Sequence, residues 1–157
     1  MLSRYNLAPH KDGYQFTTDA GITYVVYFSQ YFLSTSENEE VIVYSFGFEC
    51  SHERSAGYDE KIRNTIIAII EEFFQQHQQE GLLYICLTLD GMARHRRITF
   101  GKWYRTIACN IERHDCRERH AREGYYTSIL VRSDNPQKDK MITAFYNNLD
   151  SFFPPTH

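Results

Sequence analysis

The sequence predicts an α+β fold. A single domain spans residues 1–157, with its ordered core over about 14–152, and a mainly antiparallel or mixed β-sheet is packed by about three helices. Three observations lead there. The 157 residues are 42% hydrophobic and 24% charged, the size and composition of one globular domain. Runs that alternate apolar and polar residues interleave with runs of helical period, in the order β-β-β-α-β-α-β-β-α. Twelve Tyr, eleven Phe and one Trp supply enough ring surface for a compact aromatic core, and no internal repeat or low-complexity linker interrupts the chain.

The first two strands form a hairpin in "YQFTTDAGITYVVYF". Tyr14, Phe16 and Thr18 alternate with polar neighbours, Asp19-Ala20-Gly21 supplies the turn, and Ile22, Tyr24, Val26 and Phe28 resume the alternation. After the acidic loop "STSENEE", the stretch "EVIVYSFGFEC" reads as a third strand with Ile42, Tyr44, Phe46 and Phe48 on one face. "SHERSAGYDE" breaks the pattern, and Tyr58 or Asp59 opens the first long helix. There Ile62, Ile66, Ile69, Ile70 and Phe73 recur at helical spacing. Ile67 and Phe74 widen the stripe, so this helix is expected to be buried on more than one side, with Gly81 as its C-terminal stop.

"LLYICLTL" is apolar on both parities and predicts a central strand covered on both faces, closed by Asp90-Gly91. A second helix follows, with Ala93, Arg96, Arg97, Phe100, Trp103, Tyr104 and Ile107 along its packing stripe and Arg94, Lys102 and Arg105 facing solvent. "NIERHDCRERHAREG" has no apolar face on either parity and reads as a charged edge strand or hairpin arm. "YYTSILVRSD" is a further strand. Asp134 or Asn135 caps, and Pro136 begins, a last helix through Phe152 that packs on Met141, Ile142, Phe145, Leu149 and Phe152. The helices are expected mostly on one side of the sheet.

No apolar run approaches the ~18 residues of a membrane span, and "MLSRYNLAPHKDGYQF" lacks the apolar region of a signal peptide. Four cysteines without paired spacing suit reduced thiols, so a cytoplasmic location with no membrane partner is expected. The net charge of −3 hides an asymmetry. Residues 94–122 carry nine Lys/Arg against three acids, a net of +6 that leaves −9 for the rest. Such separation steers an anionic partner, unless the acidic remainder folds over it.

Taken together, "YQFTTDAGITYVVYF", "YDEKIRNTIIAIIEEFF", "LLYICLTLDGMARHRRITFGKW" and "YYTSILVRSDNP" resemble an uncharacterised family of small proteins from Bacteroidetes-type bacteria, known only as a domain of unknown function. The resemblance spans roughly Tyr14 to Phe152 and is carried most by Asp90, Gly91, Arg94, Arg97, Phe100 and Trp103; "HDCRERH" has no place in the pattern. It implies a bacterial, cytoplasmic, stand-alone domain. It brings no reaction, cofactor or catalytic residue with it.

The candidate binding residues are Arg94, His95, Arg96, Arg97, Lys102, Tyr104 and Arg105. Guanidinium groups offer planar forks matched to carboxylate or phosphate, and a helix start following a strand end adds its dipole. Trp103 and Tyr104 offer rings on which a nucleic-acid base can stack, although Trp103 and Phe100 lie on the packing stripe and Arg97 can pair with Asp59 or Asp90. An extended 114–120 would put His114, Cys116, Glu118 and His120 on one face, but over about 20 Å, too far for one ion. His10, Cys50 and His52 have no special spacing, so neither a metal nor another cofactor is expected. Nucleophile elbow, zinc-protease and dinucleotide signatures are absent, and the chain is read as non-enzymatic. The leading expectation is an interaction domain that recognises an acidic protein partner, or a second copy of itself, through 94–122. A nucleic-acid binder using the same patch is the alternative. A third is a small hydrolase or nuclease in which His95 works with a nearby acid, His114 or His120 being possible acid–base partners.

Overall fold

A computed structural model describes residues 3–11, 13–50, 60–86, 110–117 and 126–152. Seven strands form one mixed sheet: β1 (Ala8–His10), β2 (Gly13–Thr17), β3 (Thr23–Ser34), β4 (Glu40–Cys50), β5 (Gly81–Cys86), β6 (Ile111–Asp115) and β7 (Tyr126–Arg132). Their order across the sheet is β1-β2-β3-β4-β5-β7-β6. Every neighbouring pair is antiparallel except β4 and β5, which run parallel with Val43 opposite Gly81. A parallel pair needs a crossover, and here it contains helix α1 (Glu60–Gln76). Helix α2 (Lys138–Asn147) follows β7 and tightens into a single 3-10 turn at Leu149–Phe152.

The predicted hairpin is β2–β3. Thr18 closes its turn by accepting the Gly21 N–H and donating its own N–H to Ile22, while Gly21 takes φ 81°, a conformation only glycine adopts without strain. "EVIVYSFGFEC" is β4, and "LLYIC" lies in β5 at the centre of the sheet. Gly81 is a correction. It is the first residue of β5 and lies among Ile129, Val43 and Val131, so it does not stop α1, which ends at Gln76. β1 was not expected; it is a three-residue edge strand with Pro9, which has no N–H to offer a neighbour.

The two described helices lie on opposite faces, against the expectation that helices gather on one side. The cause is legible in β5 and β7. Leu82 and Leu130 point to one face while Leu83, Ile129 and Val131 point to the other, so both faces must be covered. On the first face α1 buries Ile62, Ile66, Ile67, Ile69, Ile70, Phe73 and Phe74 over Val26, Phe46, Leu82 and Leu130. Its stripe is as broad as predicted because the N-terminal segment also packs there. The Tyr5 N–H donates to Thr65 Oγ1 (2.8 Å) and the Asn64 amide donates to the Ser3 carbonyl (2.9 Å). Tyr5, Phe16 and Tyr24 stack in a column at 5.7 and 5.3 Å.

On the second face α2 buries Met141, Ala144 and Phe145 over Leu33, Val43, Leu83, Ile129 and Val131. The N-cap is Gln137, without a side-chain cap bond, where Asp134 or Asn135 was expected; Asn135 instead orders the turn just before it. It is buried, its Oδ1 accepts the Gln137 N–H (2.8 Å), and its carbonyl accepts the Lys138 N–H (3.0 Å). Helical geometry begins two residues later than Pro136 suggested and ends at Asn147, and the last expected turn is 3-10. The order of described elements is therefore β-β-β-β-α-β-β-β-α, with seven strands where six were expected. The predicted second helix, 93–107, lies outside the described residues. Among the described residues two large apolar side chains remain outside: Phe32 (50% exposed) and Ile42 (38%), opposite each other on β3 and β4.

Candidate functional site

All seven predicted binding residues, Arg94, His95, Arg96, Arg97, Lys102, Tyr104 and Arg105, lie outside the described residues, as do His120 and Glu118. The described anchors around them are definite. The chain leaves β5 at Cys86, opposite Tyr126, and re-enters the sheet at Ile111, opposite Arg132, at the other end of β7. The basic stretch thus joins two opposite ends of the sheet, ahead of β6.

β6 stands at one edge of the described sheet, as the charged segment predicted. It does have one apolar anchor: Ile111 is buried under the α1 face. The pleat then sorts the charges. On the α1 side, Arg113 Nε reaches Asp115 Oδ1 at 3.1 Å, and Asp115 accepts the Ser128 hydroxyl at 2.6 Å. On the α2 side, Glu112 lies 2.9 Å from Lys138 Nζ and 3.3 Å from His114 Nε2. Just beyond, the Tyr146 hydroxyl donates to the Asp115 carbonyl (2.9 Å), and the Arg117 guanidinium lies over the Tyr146 ring. Cys116 is packed against the α2 cluster, its N–H bound to the Thr127 carbonyl. Among the described residues no set of His, Cys, Asp and Glu side chains is gathered as a metal ion would need.

The electrostatics follow from these contacts. The hydrogen bond from Lys138, helped by Ser133 and His114, holds the Glu112 carboxyl below the usual range against a smaller opposing effect of burial. The same hydrogen bond raises Lys138. Burial first, then the charge of Asp115, pushes the Tyr146 phenol up, with Arg117 opposing. A carboxyl whose folded pKa is depressed stabilises the fold above its unfolded value of about 4.3, and that contribution disappears as pH falls through the folded value. The urea midpoint of the native protein should therefore fall more steeply below about pH 4 than that of Glu112→Gln. Parallel pH profiles would remove the Glu112–Lys138 pair from the acid response.

Segment 110–117 contains Arg113 and Arg117 against Glu112 and Asp115, a net charge of zero. The excess of the basic region therefore resides elsewhere, chiefly in 94–109, which holds Arg94, Arg96, Arg97, Lys102 and Arg105 and no acid.

A second feature was not singled out from sequence. Between the β1–β2 turn and the C-terminal end of α1 lies a cleft of about 220 Å³. Its walls include Tyr14, Phe28, Tyr44, Phe73 and His77. Phe73 is sandwiched between Phe28 (5.2 Å) and His77 (4.6 Å), and Tyr44 lies against both Phe73 (5.4 Å) and His77 (4.8 Å). Burial first, then the charge and the hydrogen bond of Glu72, raises the Tyr14 phenol. The high aromatic content was its only signal: it suits a core for most of the rings or a dedicated aromatic cleft, and the rings that line this cleft come from four separate elements.

The profile of a family of unknown function matches residues 58–147, more than half of the chain. The chain belongs to that family, DUF6169. The match runs from just before α1 to the last residue of α2, so α1, the whole basic segment, β5–β7 and α2 are the DUF6169 part. It is narrower than the resemblance over Tyr14–Phe152 and leaves β1–β4 outside. No curated protein and no solved structure matches the chain. Among the described residues no helix is long and apolar enough to cross a membrane.

Proposed function

We propose that this DUF6169 protein is an interaction domain that holds an acidic protein partner through the cationic segment 94–109. One observation carries this reading: six described carboxylates are already engaged by cations from outside that segment. Asp19 pairs with Lys61, Glu60 with Arg63, Asp115 with Arg113, Glu112 with Lys138, Asp134 with Arg132 and Glu39 with Lys140. These six of the chain's twenty acids are committed to lysines and arginines outside the segment, which withdraws them from Arg94, Arg96, Arg97, Lys102 and Arg105 and favours a carboxylate partner from outside. His95 and Tyr104 extend the recognition surface with a further donor and a ring. The bacterial cytoplasm suits this role, since Cys116 would stay reduced there.

The test is binding of fluorescently labelled poly-L-glutamate, followed by anisotropy. Five exposed contacts at roughly 0.5 kcal/mol each sum to about 2.5 kcal/mol, so replacing all five cations by Gln should weaken binding ~70-fold. The control Arg113→Gln/Arg117→Gln should bind like the native protein, because those guanidinium groups already have intramolecular partners. Equal binding by native protein and the five-Gln variant would overturn the proposal. Binding of a labelled single-stranded oligonucleotide with none of polyglutamate would replace it with nucleic-acid recognition.

A further inference from the structure

The aromatic cleft has a chemistry independent of the basic segment. Its lining includes the rings of Tyr14, Phe28 and Tyr44, whose π faces are negative, while both faces of Phe73 are covered by Phe28 and His77. Beside them Glu72 accepts the Gln76 amide (3.3 Å), and its charge acts on the Tyr14 phenol. Both partners are neutral, and among the described residues no lysine or arginine pairs with Glu72. The cleft also lies at the end of α1 where the helix dipole is negative, and the last turn of α1 contains no basic residue to offset it. Of the described basic residues nearby, His77 lines the cleft itself and stacks on Phe73. Arg132 reaches the Phe74 carbonyl but is paired with Asp134, His10 lies on the opposite parity of β1 from Pro9, and Lys11 is exposed in the turn.

Aromatic rings and a helix C-terminus therefore meet at one small cavity, and the Glu72 carboxylate stands at its margin, bonded to the lining Gln76. At about 220 Å³ it is smaller than pockets for drug-sized molecules, which begin near 300 Å³, and suits a single headgroup. We propose that this cleft binds a quaternary or methylated ammonium group, held by cation–π contact with Tyr14 and Tyr44 and by the charge of Glu72. Quaternary ammonium is the cation for which aromatic cages are suited, because it is weakly hydrated and has no N–H to satisfy.

Calorimetric titration of the full chain with choline tests this, with the uncharged isostere 3,3-dimethylbutan-1-ol as the comparison. Choline should bind saturably and at least about tenfold more tightly than the isostere, since only the charged ligand gains from the π faces and the carboxylate. Tyr44→Leu, which keeps apolar area but removes the ring, and Glu72→Gln, at the helix surface, should each weaken choline by several-fold. If Tyr44→Leu does not fold, Glu72→Gln alone decides. A parallel titration with a trimethyllysine peptide separates the two sources of the group: binding of choline alone indicates a free small molecule, and tight peptide binding indicates a modified side chain. Equal affinity for choline and isostere, or no binding of either cation, overturns the assignment.

Discussion

Phe145→Ala should destabilise the protein by about 3–5 kcal/mol, the range for removing a fully buried phenylalanine. Phe145 is 0% exposed and sits where α2 meets β3, β4 and β7. Its ring lies 5.1 Å from Tyr146 and 6.0 Å from Phe152, so it also fixes the 3-10 turn that closes the chain over Tyr31. The space left by the ring cannot collapse easily. Its floor is the sheet itself, and its walls are β-branched Val43, Ile129 and Val131 with few alternative rotamers. Urea unfolding checks the value. A loss below about 1 kcal/mol would mean that α2 is not firmly seated on the second face.

Ile70→Ala should cost about 2–5 kcal/mol through the other face. Ile70 is 0% exposed in α1, within the cluster that includes Phe46, Leu82 and Leu130. Ile70 and Phe145 are separated by the thickness of the sheet and belong to different clusters, so their effects should add. The summed loss reaches the whole stability of an ordinary domain, about 5–15 kcal/mol, and the double variant is expected to be unfolded at room temperature. A double variant that stays folded, with a loss no greater than that of Phe145→Ala alone, would contradict a sheet supported from both sides.

That two-sided support was legible in part. Leu82 and Leu83, adjacent and both apolar, announced a strand covered twice, and the stripe of α1 announced a helix buried broadly. Which helix would cover which face was not legible. It depends on the crossover from β4 to β5 and on the antiparallel placement of β7 between β5 and β6, pairings between residues far apart in sequence. Gly81 misled because a glycine after a helical run can be a stop or, as here, a point where Val43, Ile129 and Val131 close over the backbone. The Pro9 strand was missed because three residues are too few for an alternating pattern.

The sites differ in the same way. The charge excess of 94–122 can be counted in the sequence, and the structure refines it by showing Arg113 and Arg117 already engaged. The aromatic cleft could not be counted. Tyr14, Tyr44 and Phe73 are each core-like in their own segments, and only the register of β2 on β3 and β3 on β4 brings their rings together around a space.

The salt response of polyglutamate binding bears most directly on the central claim, that segment 94–109 presents charge the fold leaves unneutralised. Between about 50 and about 200 mM salt the affinity of the native protein should fall steeply, because binding releases the ions that otherwise accompany the two charged surfaces. Affinity that is indifferent to salt, or no measurable binding at the lower concentration, would show that those five cations are not available to a partner.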